Sequence, residues 1–535
     1  MSFVINDNQQ ISWNDSYSQL TSREQKMLEK SWAIPFSEKL FPAINEEGFS
    51  VLYSNDKASR PNTPVNVIIG ALILKEMMNQ SDDDILESLL FDVRYQVALR
   101  TTSFPEQPMS DRSLGRFRTR CAAYEEETGI DLIKDCILSL SKEIAEIMNI
   151  SPSLKRVDSL MVASNIKKLS RLELLYTTVS NMVKVYAKDD MESLPEKLKR
   201  YCEKDGRNTV IYHNRSDSTD ERLAEVLEDA ALILHLSSDK YNESSEYHLL
   251  LRVLKEQTTK DESGKYHLKD NSDGSMDSSI LQNPSDPDAT FRVKGGKQHQ
   301  GYVANIIESV NDTDSIITHY QYEPNNCPDT QLLKEYLGGC PNSEEAETMV
   351  ADGSYSGEEL KEIAKSKNID LVTTNMTGRK VADILGEFEF NDDGTKVIRC
   401  AGGHAPKSCS FVKATSQCRV SFHRSVCESC PHKKECKPKF SKRTAVKVIS
   451  LKSKVRALEQ RYRKTEEFKG LAAIRNGIES IPSVLRRKYG VDEMPVRGKI
   501  RTKQLFGFKV AAINFTKLCK YQQSLASSSL QLSTV

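Results

Sequence analysis

The sequence of 535 residues predicts a mixed α/β fold with an all-helical N-terminal domain, a helical insertion and a cysteine-rich insertion. Three observations support this fold class. Apolar residues recur at helical spacing up to about residue 150. Strand and helix patterns then alternate in the order of a mixed α/β layer architecture. Six of the 12 cysteines fall between Cys400 and Cys436, where they interrupt that alternation.

The N-terminal region divides into a polar segment and a helical one. Residues 1–58 show no sustained period, so we expect a loosely packed lead-in. After it, 65–78 is apolar enough for a buried helix, and Ser81 followed by three aspartates has the chemistry of an N-cap. Helical spacing continues through 130–147. Residues 59–150 are therefore predicted to form a helical domain.

The strand pattern begins at residue 154, and residues 151–375 are predicted to hold most of the mixed sheet. A helical period returns within this range, which predicts a helical insertion at about 166–285. The other expected elements are strands at 154–162, 302–310, 315–322, 347–351 and 370–374, and helices at 330–336 and 357–366.

Charge is unevenly distributed along a chain whose formal net charge is zero. Residues 437–535 carry a net charge of +17, whereas residues 201–290 carry −9. Basic clusters between apolar helical positions can neutralise phosphates without reading bases, so this tail predicts salt-sensitive DNA binding. A solvated charged face is the alternative. The longest apolar run is far too short to span a membrane, and we expect a cytoplasmic protein without a membrane partner.

Cysteines within residues 376–445 have the spacing of a metal site. Cys427 and Cys430 form a two-residue-spaced pair that can supply two ligands from one turn. With Cys400 and Cys436 they predict a closed, tetrahedral and therefore structural Zn²⁺ site. A group of reduced, partly buried thiols is the alternative. Competing ligands are Cys409, Cys418, His404, His423 and His432.

Three carboxylates are candidates for a second metal site. Asp158 lies in the first strand, Asp352 directly follows a later strand, and Glu479 lies in the basic helical stretch. Carboxylates without cysteine or histidine partners suit hard cations such as Mg²⁺. Two such ions can activate a water or a 3′-hydroxyl for phosphodiester chemistry. Spacing alone does not single out these three among 75 acidic residues.

The residues around those carboxylates carry a family resemblance. Residues 158–169, 350–357 and 475–479 resemble the three signature blocks of bacterial insertion-sequence DDE transposases. Residues 281–292, followed by a Gly-Tyr pair, are similar to a further block of one branch of that family. The resemblance spans about residues 55–520 and includes the helical N-terminal domain.

This resemblance implies a DNA transposase with an RNase H-like mixed sheet. By position, Asp158, Asp352 and Glu479 are its catalytic residues, and they hold Mg²⁺ or Mn²⁺. The family also has a similar cysteine cluster and a helical N-terminal domain, which we expect to bind DNA. The implied partner is double-stranded DNA, as element ends and as target. We expect a homodimer on paired ends and, in a bacterial cell, an association with the nucleoid.

The chain closes with two predicted segments. Residues 446–520 are expected to be the basic helical end of the catalytic core, which carries Glu479, and residues 521–535 a disordered tail. Basic residues here and on one face of an N-terminal helix are candidates for DNA contact. They are Arg475, Arg486, Arg487, Lys488, Arg112 and Arg116.

The helix around Glu479 only partly matches the family pattern. The family often has an arginine four residues before the glutamate and a basic residue seven after it, and Arg475 and Arg486 fit. On one continuous helix these three residues would share a face. The tyrosine of the pattern is replaced by Ala472, and Pro482 would break or kink the helix. The alternative for Arg475 and Glu479 is a surface ion pair.

Two other functions remain compatible with the sequence. One is an RNase H-like nuclease without strand transfer. The other is a transposase-derived DNA-binding protein that has lost catalysis. The presence of all three carboxylates favours an active transposase that binds terminal inverted repeats, cleaves the ends and joins them to target DNA.

Overall fold

The computed structural model describes residues 1–6, 15–56, 58–104, 107–211, 219–262, 264–270, 277–374 and 380–532. Those parts of the predicted lead-in, insertions and tail that fall between these ranges lie outside the described residues. The chain forms two compact units: a larger unit of Met1–Glu347 with Ser480–Val535, and a smaller unit of Thr348–Glu479. Within the described ranges no helix is long and apolar enough to cross a membrane.

The first part of the larger unit contains both helices and strands. Its helices are α1 (Ser22–Glu29), α2 (Ala33–Pro35), α3 (Val65–Met78), α4 (Asp82–Phe91), α5 (Val93–Ala98), α6 (Ser113–Thr128), α7 (Leu132–Ile147), α8 (Arg171–Asp189), α9 (Glu196–Lys199), α10 (Gly206–Ile211), α11 (Thr219–Ser237), α12 (Ser245–Gln257) and α13 (Asp329–Gly339). Its strands are β1 (Leu154–Ala163), β2 (Thr258–Lys260), β3 (Tyr266–Leu268), β4 (Thr290–Lys294), β5 (Lys297–Val310) and β6 (Ser315–Pro324).

The N-terminal helices begin where their capping residues predict. Ser81 accepts a hydrogen bond from the Asp84 backbone, and the Asp84 carboxylate bonds back to the Ser81 N–H, which makes a complete capping box at the start of α4. The Asp131 side chain caps α7 in the same position. Helix α3 is buried over nearly its whole length, because its sequence is apolar on all sides.

The predicted loose lead-in is wrong for its described residues. Beyond α1, the chain forms a π-helical turn at Phe36–Leu40 and 3₁₀ turns at Phe41–Ala43 and Glu47–Leu52. Their phenylalanines are buried in the same core as α3 and α7. Turns of this kind do not repeat every 3.6 residues, so their apolar positions produce no helical period in the sequence.

Strand β5 organises the sheet of the larger unit. Its first half pairs with β4 and its second half with β6, while β1 pairs along its other edge, always antiparallel. Gly301 lies at the change of partner with φ of +139°, and a Cβ added there would lie 2.5 Å from Val162 O and from Ser164 N. Only glycine permits this close approach of β1 to β5.

Helices α8, α11 and α12 form a core of their own within the predicted helical insertion. Their buried apolar residues pack on one another and separately from the core of α3 and α7. The cluster includes Leu175, Val179, Val226, Ile233 and Leu250. The insertion thus has a hydrophobic core of its own.

The smaller unit combines two adjacent strands with a cysteine-bearing sheet. Its elements are β7 (Glu347–Ala351, whose first residue belongs to the larger unit), α14 (Glu358–Ser366), β8 (Ile369–Thr373), β9 (Glu389–Phe390), β10 (Val397–Arg399), β11 (Ser408–Val412), β12 (Gln417–His423), α15 (Arg424–Glu428), α16 (Lys433–Cys436), β13 (Lys439–Phe440), β14 (Thr444–Ile449), α17 (Leu451–Tyr462) and α18 (Glu466–Asn476). Strand β7 lies beside β8, and a four-stranded sheet has the order β11-β12-β14-β13.

The chain then returns to the larger unit with α19 (Ser480–Arg487) and α20 (Lys499–Leu532). Helix α20 packs against α3, α6, α7 and β6 and buries Phe506, Phe508 and Phe515 in their shared core. Residues 446–520 were predicted to form one end of the catalytic core. Instead, they divide between the two units after Glu479. The expected disordered tail also differs, because α20 is described as far as Leu532.

Four lysines of α20 form ion pairs inside the larger unit. Lys509 Nζ lies 2.5 Å from Glu76 Oε2, and both side chains are buried. Lys517 Nζ lies 2.5 Å from Glu308 Oε1. Further pairs join Lys503 to Glu125 and Asp131, and Lys499 to Glu323. These four lysines are therefore occupied by carboxylates of the larger unit, and those carboxylates lie outside the acidic stretch 201–290.

A partly buried histidine of β6 predicts pH-dependent stability. Burial, helped by Lys134 and Lys155, lowers the pKa of His319 to about 3. An unfolded histidine binds a proton near pH 6.5, so its contribution to stability is complete above that pH and is lost as pH falls towards 3. We expect His319→Gln to make the decline of unfolding free energy shallower by up to about 1.4 kcal/mol per pH unit. Denaturant titrations over this range should show it, and parallel curves would contradict it.

Candidate functional site

Asp158 lies in the middle of β1 in the larger unit. It is paired in register with Ile306 of β5, and its side chain is half-buried. The Ser159 N–H donates to Asp158 Oδ1 over 2.8 Å. The backbone on either side is fixed by the β1–β5 ladder, so the carboxylate is carried by a rigid element.

Asp352 follows β7 directly, as the sequence predicted. It is the N-cap of a 3₁₀ turn, Gly353–Tyr355, and its Oδ1 accepts the Ser354 N–H over 2.7 Å and the Ser354 hydroxyl. The carboxylate is 30% exposed. Ser354 therefore fixes the orientation of Asp352, a role that the sequence did not indicate.

Glu479 lies at a break between two helices. Helix α18 ends at Asn476, Gly477–Glu479 forms a 3₁₀ turn, and α19 starts at Ser480. The helix does break, but at 477–479 rather than at Pro482, where the sequence predicted the break. Pro482 lies in the first turn of α19, where proline is tolerated. The expected single face of Arg475, Glu479 and Arg486 is wrong because of the break at 477–479. Arg486 belongs to α19, and its Nε lies 3.4 Å from Asp492 Oδ2.

Arg475 joins two of the three candidate carboxylates within the smaller unit. Its Nη1 donates to Glu479 Oε1 over 2.6 Å, and its Nη2 lies 3.8 Å from Asp352 Oδ2. The arginine side chain is only 13% exposed, whereas Glu479 is 59% exposed. The pair is therefore more than a solvated i,i+4 contact, because the same guanidinium also lies beside Asp352, which is far away in the sequence.

Four of the predicted zinc ligands line one small cavity of about 30 Å³ in the smaller unit. These are Cys400, Cys427, Cys430 and Cys436, and His432 lines the same cavity. The thiols of Cys430 and Cys400 lie beside the turn at Gly402. A Cβ added to this glycine would lie 3.3 Å from Cys430 Sγ and 3.8 Å from Cys400 Sγ. Burial and the neighbouring Cys400 raise the pKa of Cys427 to about 11.

Two of the competing ligands, Cys418 and Cys409, make other contacts. Cys418 is buried in strand β12, where its Sγ lies 3.2 Å from the Thr395 carbonyl oxygen. Cys409 Sγ accepts the Val397 N–H over 3.5 Å. Over the described ranges, no three His, Cys, Asp or Glu side chains are already arranged as metal ligands. The four thiols thus share a cavity without forming a complete ligand set.

The predicted DNA-contact residues occupy different surfaces. Arg486, Arg487 and Lys488 are exposed at the end of α19, and Lys488 Nζ lies 5.1 Å from the centre of the Tyr489 ring. Arg112 and Arg116 are exposed at the start of α6. Both groups remain accessible for contact with a partner.

The segment 281–292 has a positioning role that its sequence alone did not reveal. Asp286 is fully buried and accepts the Tyr302 hydroxyl over 2.5 Å and the Ser164 hydroxyl. Asn283 Nδ2 donates to the Lys167 carbonyl over 2.9 Å. These bonds fix the loop that follows β1, and hence the end of the strand that carries Asp158.

Comparisons with known proteins identify two regions of the chain. A transposase domain (DUF772) matches residues 25–120, and a transposase DDE domain matches residues 399–519, which include Glu479. No curated protein matches. One solved structure, titled "Cryo-EM structure of piggyBac transposase synaptic complex with hairpin DNA", has 8% sequence identity and a TM-score of 0.30, over 93% of this chain and 75% of that one. That similarity is too low to support a statement about this chain.

The DUF772 match precedes Asp158, and the DDE-domain match follows Asp352. This is the order in which the sequence places the N-terminal domain and the block around Glu479. A protein with a transposase DDE domain cuts and joins DNA, and that chemistry uses a divalent metal ion. The chain is a DDE transposase of the insertion-sequence kind.

Proposed function

We propose that this protein binds the terminal inverted repeats of its own insertion sequence, cleaves the DNA ends and joins them to target DNA. An RNase H-like core would carry Asp158, Asp352 and Glu479 as the catalytic residues. The observation that carries this proposal is the position of Arg475, because two of the three carboxylates already converge on one cation.

The donor set fits Mg²⁺ or Mn²⁺, since carboxylate oxygens are the ligands that these ions prefer. Bound by Asp158, Asp352 and Glu479, two such ions would activate the attacking water or 3′-hydroxyl and stabilise the leaving oxygen. Ser354 would keep Asp352 oriented through its two hydrogen bonds. Arg475 would balance the charge of Asp352 and Glu479 and could also hold a DNA phosphate.

DNA contact by Arg486, Arg487 and Lys488 would hold the backbone without selecting a sequence. Because one core presents one set of three carboxylates, we further propose that a homodimer processes two paired ends. Measuring the mass of the complex on paired end DNA tests this. One chain per two ends, with cleavage of both, would contradict a dimer.

The proposed function predicts both cleavage and joining by the purified protein. Sequencing the DNA around the coding region gives the inverted repeats, which are then placed on a donor plasmid. With Mg²⁺ and a target plasmid, the wild type should release the ends and insert them. Cleavage without insertion would instead support a nuclease, and binding without cleavage would support a catalytically inactive DNA-binding protein.

We also propose that Cys400, Cys427, Cys430 and Cys436 hold a structural Zn²⁺ ion. Support comes from the four thiols, which line one cavity. Zinc binding would deprotonate these thiols and stabilise the short helices α15 and α16 around them. An ion with four protein ligands has no open position for substrate, so its role would be structural.

We expect reduced, freshly purified protein to contain about one zinc per chain. Cys430→Ser should lose the metal and unfold the region of β11–β14 at a lower temperature, because three ligands hold zinc less tightly than four. Cys409→Ser is the matched control and should keep it, since Cys409 lies outside the cavity. Elemental analysis and thermal melting measure both effects. Protein without zinc, or equal zinc loss in both variants, would contradict this ligand set.

A further inference from the structure

A groove beside α6 in the larger unit is not used by any of the proposed chemistry. It has a volume of about 550 Å³ and runs along the segments 60–64 and 107–110 and the first half of α6. Ile68 and Phe117 contribute apolar lining, and both are buried in the core beneath. The groove is thus supported by rigid, well-packed elements.

Three arginines line this groove: Arg60, Arg116 and Arg120. Among the described residues that line it, none is acidic. Arg118, the third arginine of α6, differs from Arg116 and Arg120 because it forms an ion pair with Asp82. Positions 116 and 120 share one helical face, and 118 lies on another. Positive charge is therefore concentrated on the groove side of the helix.

Arg120 is held in place by its neighbours. Its guanidinium lies over the Tyr53 ring, 5.1 Å from the ring centre, and its Nη2 lies 3.9 Å from Met1 Sδ. A guanidinium stacked on an aromatic ring has lost part of its side-chain entropy before a ligand arrives. Burial raises the pKa of Tyr53, so its phenol stays neutral beside the arginine.

We propose that this arginine groove binds the phosphodiester backbone of double-stranded DNA. One guanidinium group can bind two phosphate oxygens at once. Three of them on a lining without an acidic residue are suited to a polyanion. The inference rests on the proposed function and deepens it, because it assigns the DNA contact of the N-terminal domain. It adds Arg60 and Arg120 to the predicted contact residue Arg116, whereas Arg112 does not line the groove.

The test compares DNA binding by full-length variants over a range of salt concentrations. The triple variant Arg60→Gln, Arg116→Gln, Arg120→Gln is compared with Arg94→Gln, which removes one charge at a site paired with Asp92 outside the groove. The probe is a short labelled DNA duplex of unrelated sequence, from about 50 to about 200 mM salt. Removing one arginine that binds a phosphate should reduce the slope of log affinity against log salt by about 0.9.

In the triple variant, we expect the slope of log affinity against log salt to become shallower by about 2–3 and the affinity to fall at least about tenfold. Arg94→Gln should stay close to wild type. Arg116→Gln alone should lose about 0.9, and this exposed residue guards against loss of folding as the cause. A wild type that cleaves and binds DNA, with a triple variant of unchanged slope, would overturn the groove alone. A wild type that binds no DNA would overturn the proposed function as well.

Discussion

Replacing any one of Asp158, Asp352 and Glu479 should abolish strand cleavage while DNA binding stays nearly normal. Asp→Asn and Glu→Gln keep the shape of each side chain but remove the negative charge that holds a divalent cation. Loss of several kcal/mol of transition-state stabilisation corresponds to a fall in cleavage rate of about 10³-fold or more. Single-turnover cleavage of end DNA measures this effect, and filter binding to the same DNA measures affinity.

Matched controls come from exposed carboxylates of the smaller unit, which carries Asp352 and Glu479. Asp370→Asn changes an exposed residue of β8, and Glu466→Gln changes the first turn of α18, where the side chain is 87% exposed. Both should cleave at the wild-type rate. If a variant of the trio retains substantial cleavage, that residue does not belong to the catalytic set.

The second large effect concerns stability and the fully buried Glu308. Its Oε2 lies 2.8 Å from Arg156 Nε and its Oε1 lies 2.5 Å from Lys517 Nζ. Burial works to raise the pKa of Glu308, but Lys517 and Arg156 outweigh it and hold the pKa below its usual value. Glu308→Ala would leave two cations beside an apolar core, which should cost about 3–5 kcal/mol of unfolding free energy.

Two comparisons separate the loss of charge compensation from the loss of packing. Glu146→Ala removes one member of an exposed pair with Lys142 on α7 and should cost less than about 0.5 kcal/mol. The combined change Glu308→Leu, Arg156→Met, Lys517→Met removes all three charges and should recover most of the stability. Urea unfolding gives each value. A cost below about 1 kcal/mol for Glu308→Ala would show that the cations find other partners.

Local sequence patterns predicted the strands and the helices between them well. The expected hairpin at 302–322 is confirmed as β5 and β6, with the turn closed by hydrogen bonds from the Thr313 and Asp314 N–H groups to Asn311 Oδ1. The strands β1, β7 and β8 and the helices α13 and α14 are confirmed as well. β4 was missed, because a short, partly exposed strand has no clear alternation.

Long-range packing is where the sequence was uninformative. Nothing in the period of 499–532 indicates that α20 packs with α3, because helical spacing shows which face is apolar but not what covers it. The same holds for the site. The flanking blocks predicted Asp352 and Glu479, and Pro482 predicted a helix break but not its position, whereas the double pairing of Arg475 depends on side-chain positions in space.

Helix α20 also determines when the chain can fold during synthesis. Lys509 bonds to Glu76, 433 residues earlier, and Asn514 bonds to Ser141, 373 residues earlier. Until the ribosome has made α20, the faces of α3 and α7 that pack against it are uncovered, and Glu76 has no Lys509 beside it. A nascent or truncated chain that lacks this helix would therefore expose hydrophobic surface to chaperones and proteases instead of forming a functional N-terminal domain.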